Sequence, residues 1–221
     1  MKVSATQLLN ARGKVPVPLT RMGFGSAPLG NLYRKVSDED AQAALQAAFD
    51  AGIRYFDTAP QYGLGRAEDR VGRAIAGFGR DELRLSTKIG RLLLDCEPDE
   101  VTPEAFVDVP QKRIMFDYTY DGVMRSYDAS KARLGVAHAD ILLVHDVCAF
   151  SQGSQEARDA KVREVLDGAG SRALHQLRAA RGRAATGAGV HEGPCCVRLP
   201  ALRHPDGFLL LAPAYPRAQP A

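Results

Sequence analysis

The chain has 221 residues, of which 45% are hydrophobic and 25% charged, with a formal net charge of +3. That is one large domain or two small ones of ordinary globular composition. The small charge and scattered Arg residues speak against nucleic acid, no stretch approaches a membrane span, and the start lacks an apolar segment of signal-peptide length, so a cytoplasmic location is expected.

Residues 1–20 hold two short apolar patches around Gly13, with Pro16 and Pro18 beyond, the pattern of a small hairpin outside the main fold. Residues 22–30 read as a short buried strand ending in a Gly-rich turn, where missing side chains let the backbone approach a ligand. Ser37 opens a helix with a capping-box-like pattern. Ala41, Ala44, Leu45, Ala48 and Phe49 follow at helical spacing, and Gly52 ends it.

The stretch Ile53-Arg54-Tyr55-Phe56-Asp57 is apolar and aromatic and suits a buried strand that stops at a carboxylate. Tyr62 and a Gly63-Leu64-Gly65 turn follow. A second helix starts near Arg66, with Val71, Ile75 and Phe78 as its buried stripe. The next strand, over 83–89, carries Lys88 near its end.

Residues 90–120 read as a long irregular stretch with Pro98, Pro103, Pro110 and the aromatics Phe116, Tyr118 and Tyr120. Those aromatics suit either a substrate site or the covering of a sheet end. Asp121 is expected to cap a helix bearing Val123, Met124, Tyr127 and Leu134, closed by Gly135. The aliphatic run over 140–145 is a strand buried on both faces, ending at His145 with Asp146 next. Residues 156–167 and 171–180 look helical. After about residue 180 the pattern weakens: 181–186 is a poor strand, 207–211 a better one, and the Ala/Pro-rich 212–221 is expected to be a disordered tail beyond a single domain over 1–211. Strands alternating with helices over short connections argue for a parallel sheet with helices outside. The four cysteines, Cys96, Cys148, Cys195 and Cys196, show no metal-binding spacing.

Three strands end on polar residues: Asp57 with Tyr62 just beyond, Lys88, and His145. In a parallel barrel all such ends lie on one face. A phenol is a poor proton carrier at neutral pH, and a nearby ammonium favours its ionised form. A carboxylate keeps the ammonium charged, and an imidazole can orient a carbonyl or share the proton. The set suits proton transfer to a carbonyl or alcohol oxygen during hydride transfer. Singly, each residue has a plainer role: a helix cap, a half-buried aromatic, a solvated strand end, a satisfied core His. Their recurrence at successive strand ends favours a site.

Residues 52–59, Tyr62-Gly63, Glu68, Val71, Gly72 and Ile75 resemble the aldo-keto reductase signature, with Ser86-Thr87-Lys88 and Val144-His145 where that family keeps its other catalytic residues. Residues 116–126 resemble more closely its branch of aldose (fucose or galactose) and pyridoxal 4-dehydrogenases. The resemblance spans roughly 15–180. It implies a (β/α)8 TIM-barrel fold, NADP or NAD as cofactor, and a small aldehyde, sugar or pyridoxal-like substrate. It also implies Tyr62 as general acid/base, Lys88 and Asp57 tuning it, and His145 orienting the substrate. Gly25, Ser26 and Asp57 would lie at the nicotinamide end of the cofactor, with His191 where the family has an Asn.

Such a barrel usually needs around 300 residues, and only about six of eight strand–helix units are recognisable here. The expectation is therefore an incomplete barrel from a truncated or frameshifted sequence, prone to self-association through open edges. The alternative to an active oxidoreductase is a catalytically inactive fragment, and behind it a non-enzymatic binding subunit.

Overall fold

The computed structural model describes residues 5–9, 17–165, 192–193, 196–197 and 209–211. The chain enters through an antiparallel hairpin of β1 (Thr6–Leu9) and β2 (Val17–Thr20), in which Thr6 faces Thr20. Then come β3 (Phe24–Gly25), a 3-10 turn over Ala27–Gly30, α1 (Asp38–Asp50), β4 (Tyr55–Asp57), α2 (Arg66–Ile75) and β5 (Arg84–Ile89). A second antiparallel hairpin, β6 (Arg91–Asp95) and β7 (Lys112–Phe116), precedes α3 (Tyr120–Leu134) and β8 (Ile141–Val144). After α4 (Ala149–Gln152) and α5 (Gln155–Arg163) the described strands are the antiparallel pair β9 (Glu192–Gly193) and β10 (Cys196–Val197), and then β11 (Leu209–Leu211).

The main sheet runs β11-β8-β5-β4-β3, and every neighbouring pair is parallel. From β3 to β8 each strand is laid beside its predecessor in chain order, with α1, α2 and α3 as crossovers. This is the α/β winding of a (β/α)8-type barrel over the strands described.

Local chemistry sets the element ends. The Ser37 hydroxyl accepts the Asp40 N–H at 3.0 Å, and acidic Asp38, Glu39 and Asp40 face the positive end of the α1 dipole. Thr119 caps α3 by accepting the Gly122 N–H at 3.2 Å, so the cap lies two residues before the expected Asp121. Gly135 closes it in the left-handed conformation (φ 64°).

Two apolar clusters fill the space between helices and sheet. One joins Leu45, Phe56, Val71, Ile75, Phe78, Leu85 and Leu134 under α1 and α2. The other joins Ile89, Tyr118, Val123, Tyr127, Leu142 and Val144 under α3. Burying each of the larger side chains contributes about 1.5–3 kcal/mol.

Two expectations are corrected. The strand expected within 22–30 is only two residues long and not buried: Phe24 is half-buried and Gly25 exposed, because Pro28 cannot donate to a ladder and the chain turns into 3-10 geometry. The stretch 90–120 is not irregular throughout, since Arg91 pairs with Phe116 and Asp95 with Lys112 across β6 and β7. Its aromatics divide: Tyr118 is fully buried and caps the sheet end, while Phe116 stays exposed. The helix expected over 171–180, the poor strand at 181–186 and the 212–221 tail lie outside the described residues.

At the opposite end of the sheet from those loops, one carboxylate ties β5 to β8. Asp140 Oδ2 accepts the Leu85 N–H and an Arg80 N–H, both at 2.8 Å. Replacing Asp140 with Ala leaves the buried Leu85 N–H unpaired, and should lower stability by about 1–3 kcal/mol, read as a drop in the chemical-denaturation midpoint at unchanged slope.

Candidate active site

The winding brings the C-terminal ends of β4, β5 and β8 to one edge of the sheet. Asp57 closes β4, opposite Ser86 of β5. Lys88 sits opposite Leu143, and the His145 N–H donates to Ile89 O at 3.1 Å, continuing the β5–β8 ladder. All four residues expected to act together are thereby assembled.

The Lys88 ammonium is buried and donates to Asp57 Oδ2 at 2.7 Å and to Thr58 O at 3.0 Å. Burial alone would push it down, but the Asp57 carboxylate and the Tyr62 hydroxyl outweigh that and hold its pKa above the ordinary lysine value. Ser86 Oγ donates to the other Asp57 oxygen at 2.5 Å and shares a 3.0 Å hydrogen bond with the Tyr55 hydroxyl. Burial and the Asp57 charge raise the Tyr55 phenol, which stays protonated.

Tyr62 is half-buried beyond β4. Lys88 Nζ lies 4.6 Å from its ring centroid, and the His145 ring meets it edge-on with centroids 5.9 Å apart. Phe106 flanks the same ring at 6.2 Å. The loop that carries Tyr62 is seated by a glycine pair: a Cβ on Gly30 would come within 2.6 Å of Gly63 N and Tyr62 C.

His145 is 3% exposed. Its Nδ1 has no hydrogen-bond partner among the described residues, and its Nε2 lies 3.4 Å from Asp146 Oδ2. Burial first, then the charges of Arg91 and Lys88, hold the imidazole well below its ordinary pKa. It is neutral near pH 7 and offers hydrogen bonds rather than charge. Its carbonyl accepts the Tyr118 hydroxyl at 2.8 Å, and burial pushes that phenol up to about 12.

On the β3 side, Gly25 is exposed and nothing lies within 4 Å of where its Cβ would be. Beside it the Ser26 hydroxyl is buried without a partner among the described residues, as is that of Thr58. His191 lies outside the described residues. Among the described residues no cluster of three His, Cys, Asp or Glu could hold a metal, and no helix is long and apolar enough to cross a membrane.

Sequence reasoning missed the buried cations that frame the site. Arg70 is 2% exposed and donates to Leu29 O at 2.5 Å, Asn31 Oδ1 at 3.0 Å, Val36 O at 2.8 Å and Asp38 Oδ1 at 2.8 Å. It fastens residues 29–38 to α2. The available signal was its place in line with Ala67 and Ala74, on the apolar face of the helix. Arg91, directly after Gly90, is equally buried and reaches Gln61 and Asp146.

Comparison with known proteins gives one consistent answer. Residues 21–178 match the aldo/keto reductase family. A pyridoxal 4-dehydrogenase from Microbacterium luteolum is 40% identical over 191 residues, 82% of this chain and 55% of that protein. A D-threo-aldose 1-dehydrogenase from a Pseudomonas species is 41% identical over 148 residues, 65% of this chain and 44% of that protein. The chain spans about half the length of the curated relatives it matches. The holo form of an aldo-keto reductase from Bacillus halodurans has the same fold, with a TM-score of 0.50 at 22% identity over 74% of this chain and 47% of that one.

The depressed His145 pKa fixes the sign of a pH effect. Above about pH 6.5 the imidazole is neutral in both folded and unfolded chains. Below that, the unfolded chain takes up a proton that the folded one refuses, so stability falls with acidification. The unfolding midpoint should drop between pH 7 and pH 5.5, and the drop should be smaller in His145→Asn.

Proposed function

The chain belongs to the aldo/keto reductase family, and from that premise we propose that it is an NAD(P)-dependent oxidoreductase interconverting an alcohol or sugar hemiacetal with the matching aldehyde or lactone. The observation that carries the reading is the compact set at one sheet edge: Lys88 on Asp57 at 2.7 Å and 4.6 Å from the Tyr62 ring, with His145 edge-on to that ring. The names of the relatives, acting on pyridoxal and on D-threo-aldoses, supply the substrate class.

The described residues fit the nicotinamide end of a dinucleotide. Gly25, with open space where a Cβ would be, is paired with Asp57 across β3 and β4, and these two, with the buried, unpartnered Ser26 hydroxyl next in the chain, are the groups that would meet it. The chemistry such a cofactor supplies when bound there is hydride transfer.

The chain's own residues handle the proton and the orientation. In the oxidative direction the Tyr62 oxygen takes the proton of the substrate hydroxyl; in the reductive direction it returns it to the carbonyl oxygen. The Lys88 ammonium compensates the negative charge on the phenol oxygen when the proton is away. Asp57 keeps Lys88 charged and fixed, and Ser86 and Thr58 hold that pair in place. Neutral His145 hydrogen-bonds the reacting oxygen and so sets its direction toward Tyr62. Phe106, against the Tyr62 ring, lends one apolar wall.

NADH and NADPH should be titrated into the 221-residue chain and followed by the cofactor's own fluorescence, since the protein has no Trp. Saturable binding, followed by turnover of an aldose or a pyridoxal-type alcohol, is the expected result. A soluble chain that binds neither dinucleotide would favour the inactive-fragment reading. Given turnover, Tyr62→Phe should cost at least about 10²-fold in kcat while the far-UV circular dichroism stays that of the parent.

A further inference from the structure

We propose that Arg91 is a positioning residue, a clamp that sets the separation of the Tyr62 and His145 rings by holding Gln61 and Asp146. The proposal rests on the roles given above to those two rings.

Gly90 has φ 94°, and a Cβ there would run into the Tyr118 ring. This turn reverses the chain out of β5 over Tyr118 and delivers Arg91 inward, where it is 3% exposed. The Ser126 hydroxyl donates to Arg91 O at 3.2 Å and anchors its backbone to α3.

The guanidinium then divides between two segments. Nη1 donates to Gln61 Oε1, and Nη2 to Asp146 Oδ2 at 2.8 Å. Gln61 immediately precedes Tyr62, and Asp146 immediately follows His145. One rigid fork therefore grips the chain neighbours of both rings. Glu104 completes the grip, its carboxylate 3.7 Å from Nη1 and accepting from Gln61 Nε2.

Asp146 has φ 46°, in the left-handed region that favours glycine. The bond to Arg91 helps to hold it there. The same carboxylate oxygen that Arg91 holds lies 3.4 Å from His145 Nε2, so Arg91 also governs what faces the imidazole. Among the described residues, Lys88 from β5 and Tyr62 from the loop after β4 also act on the His145 ring. A lysine could carry the charge of Arg91 but not its two bonds at a fixed angle.

The test uses Arg91→Lys and Arg91→Met in the 221-residue chain. Turnover is measured alongside the through-space NMR contact between the Tyr62 and His145 rings, assigned with Tyr62→Phe and His145→Asn. Both variants should lose kcat on the order of 10²-fold with a much smaller change in KM. The Lys variant should not rescue, and the ring contact should weaken or vanish in both. Wild-type kcat in either variant, or an undisturbed ring contact in both, overturns the clamp. If the parent chain shows no turnover, the functional reading fails, and the ring contact alone decides the clamp: lost in the variants it stands, kept it falls. Should the Arg91 variants not fold, Gln61→Leu and Asp146→Asn each cut one arm and are judged by the same two outcomes.

Discussion

A buried ammonium has to be answered by a carboxylate, and the pairing of Lys88 with Asp57 is the constraint on which the rest of this sheet edge depends. The two residues stand on neighbouring strands, so they meet only if β4 and β5 keep their register. Either charge alone would be costly to bury. With Ser86, Thr58 and Tyr55 taking up the remaining hydrogen-bonding capacity, the pair is accommodated inside the protein. The same need for partners draws the segments that follow β4, β5 and β8 together at one edge.

Around that pair the interior is unusually rich in paired charge. Glu68 is fully buried on α2 and accepts from the Thr87 hydroxyl and from Arg133 Nε, each at 2.6 Å. Arg70 fastens residues 29–38 to the same helix, and Arg91 spans the loops after β4 and β8. These side chains order loops that have little apolar surface of their own. Away from that edge, the apolar clusters under α1, α2 and α3 do the ordering. The described residues thus combine a greasy body with a polar, hydrogen-bonded rim, the place where such folds keep their functional loops.

The body was legible because its signals are local. Ser37, Gly52 and Gly135 punctuate helices by rules that need no tertiary context, and the Ile141–Val144 run can only be a buried strand. The four polar residues were legible because parallel topology forces strand ends onto one face. What stayed hidden depends on distant partners. Arg91 on sequence is one more basic residue after a glycine, and its meaning comes from Gln61 and Asp146, far away in the chain. The β6–β7 hairpin was read as irregular because Leu92, Leu93 and Leu94 do not alternate with polar residues. Tyr118 left two readings open because an aromatic beside a site looks the same whether it faces inward or outward; its hydroxyl on the His145 carbonyl decides for the core.

The order in which the sheet is wound has a bearing on how the protein is made. β4 pairs with β3, β5 with β4 and β8 with β5, so each strand docks on one already synthesised. Each addition closes its own loop, and the entropic cost is met in instalments rather than at a single closing step. The polar cluster from Asp57 to Asp146 needs nothing later in the chain for the bonds among its own members. On a ribosome, where the amino-terminal part emerges first, that edge can take shape by accretion while residues beyond Asp146 are still being translated.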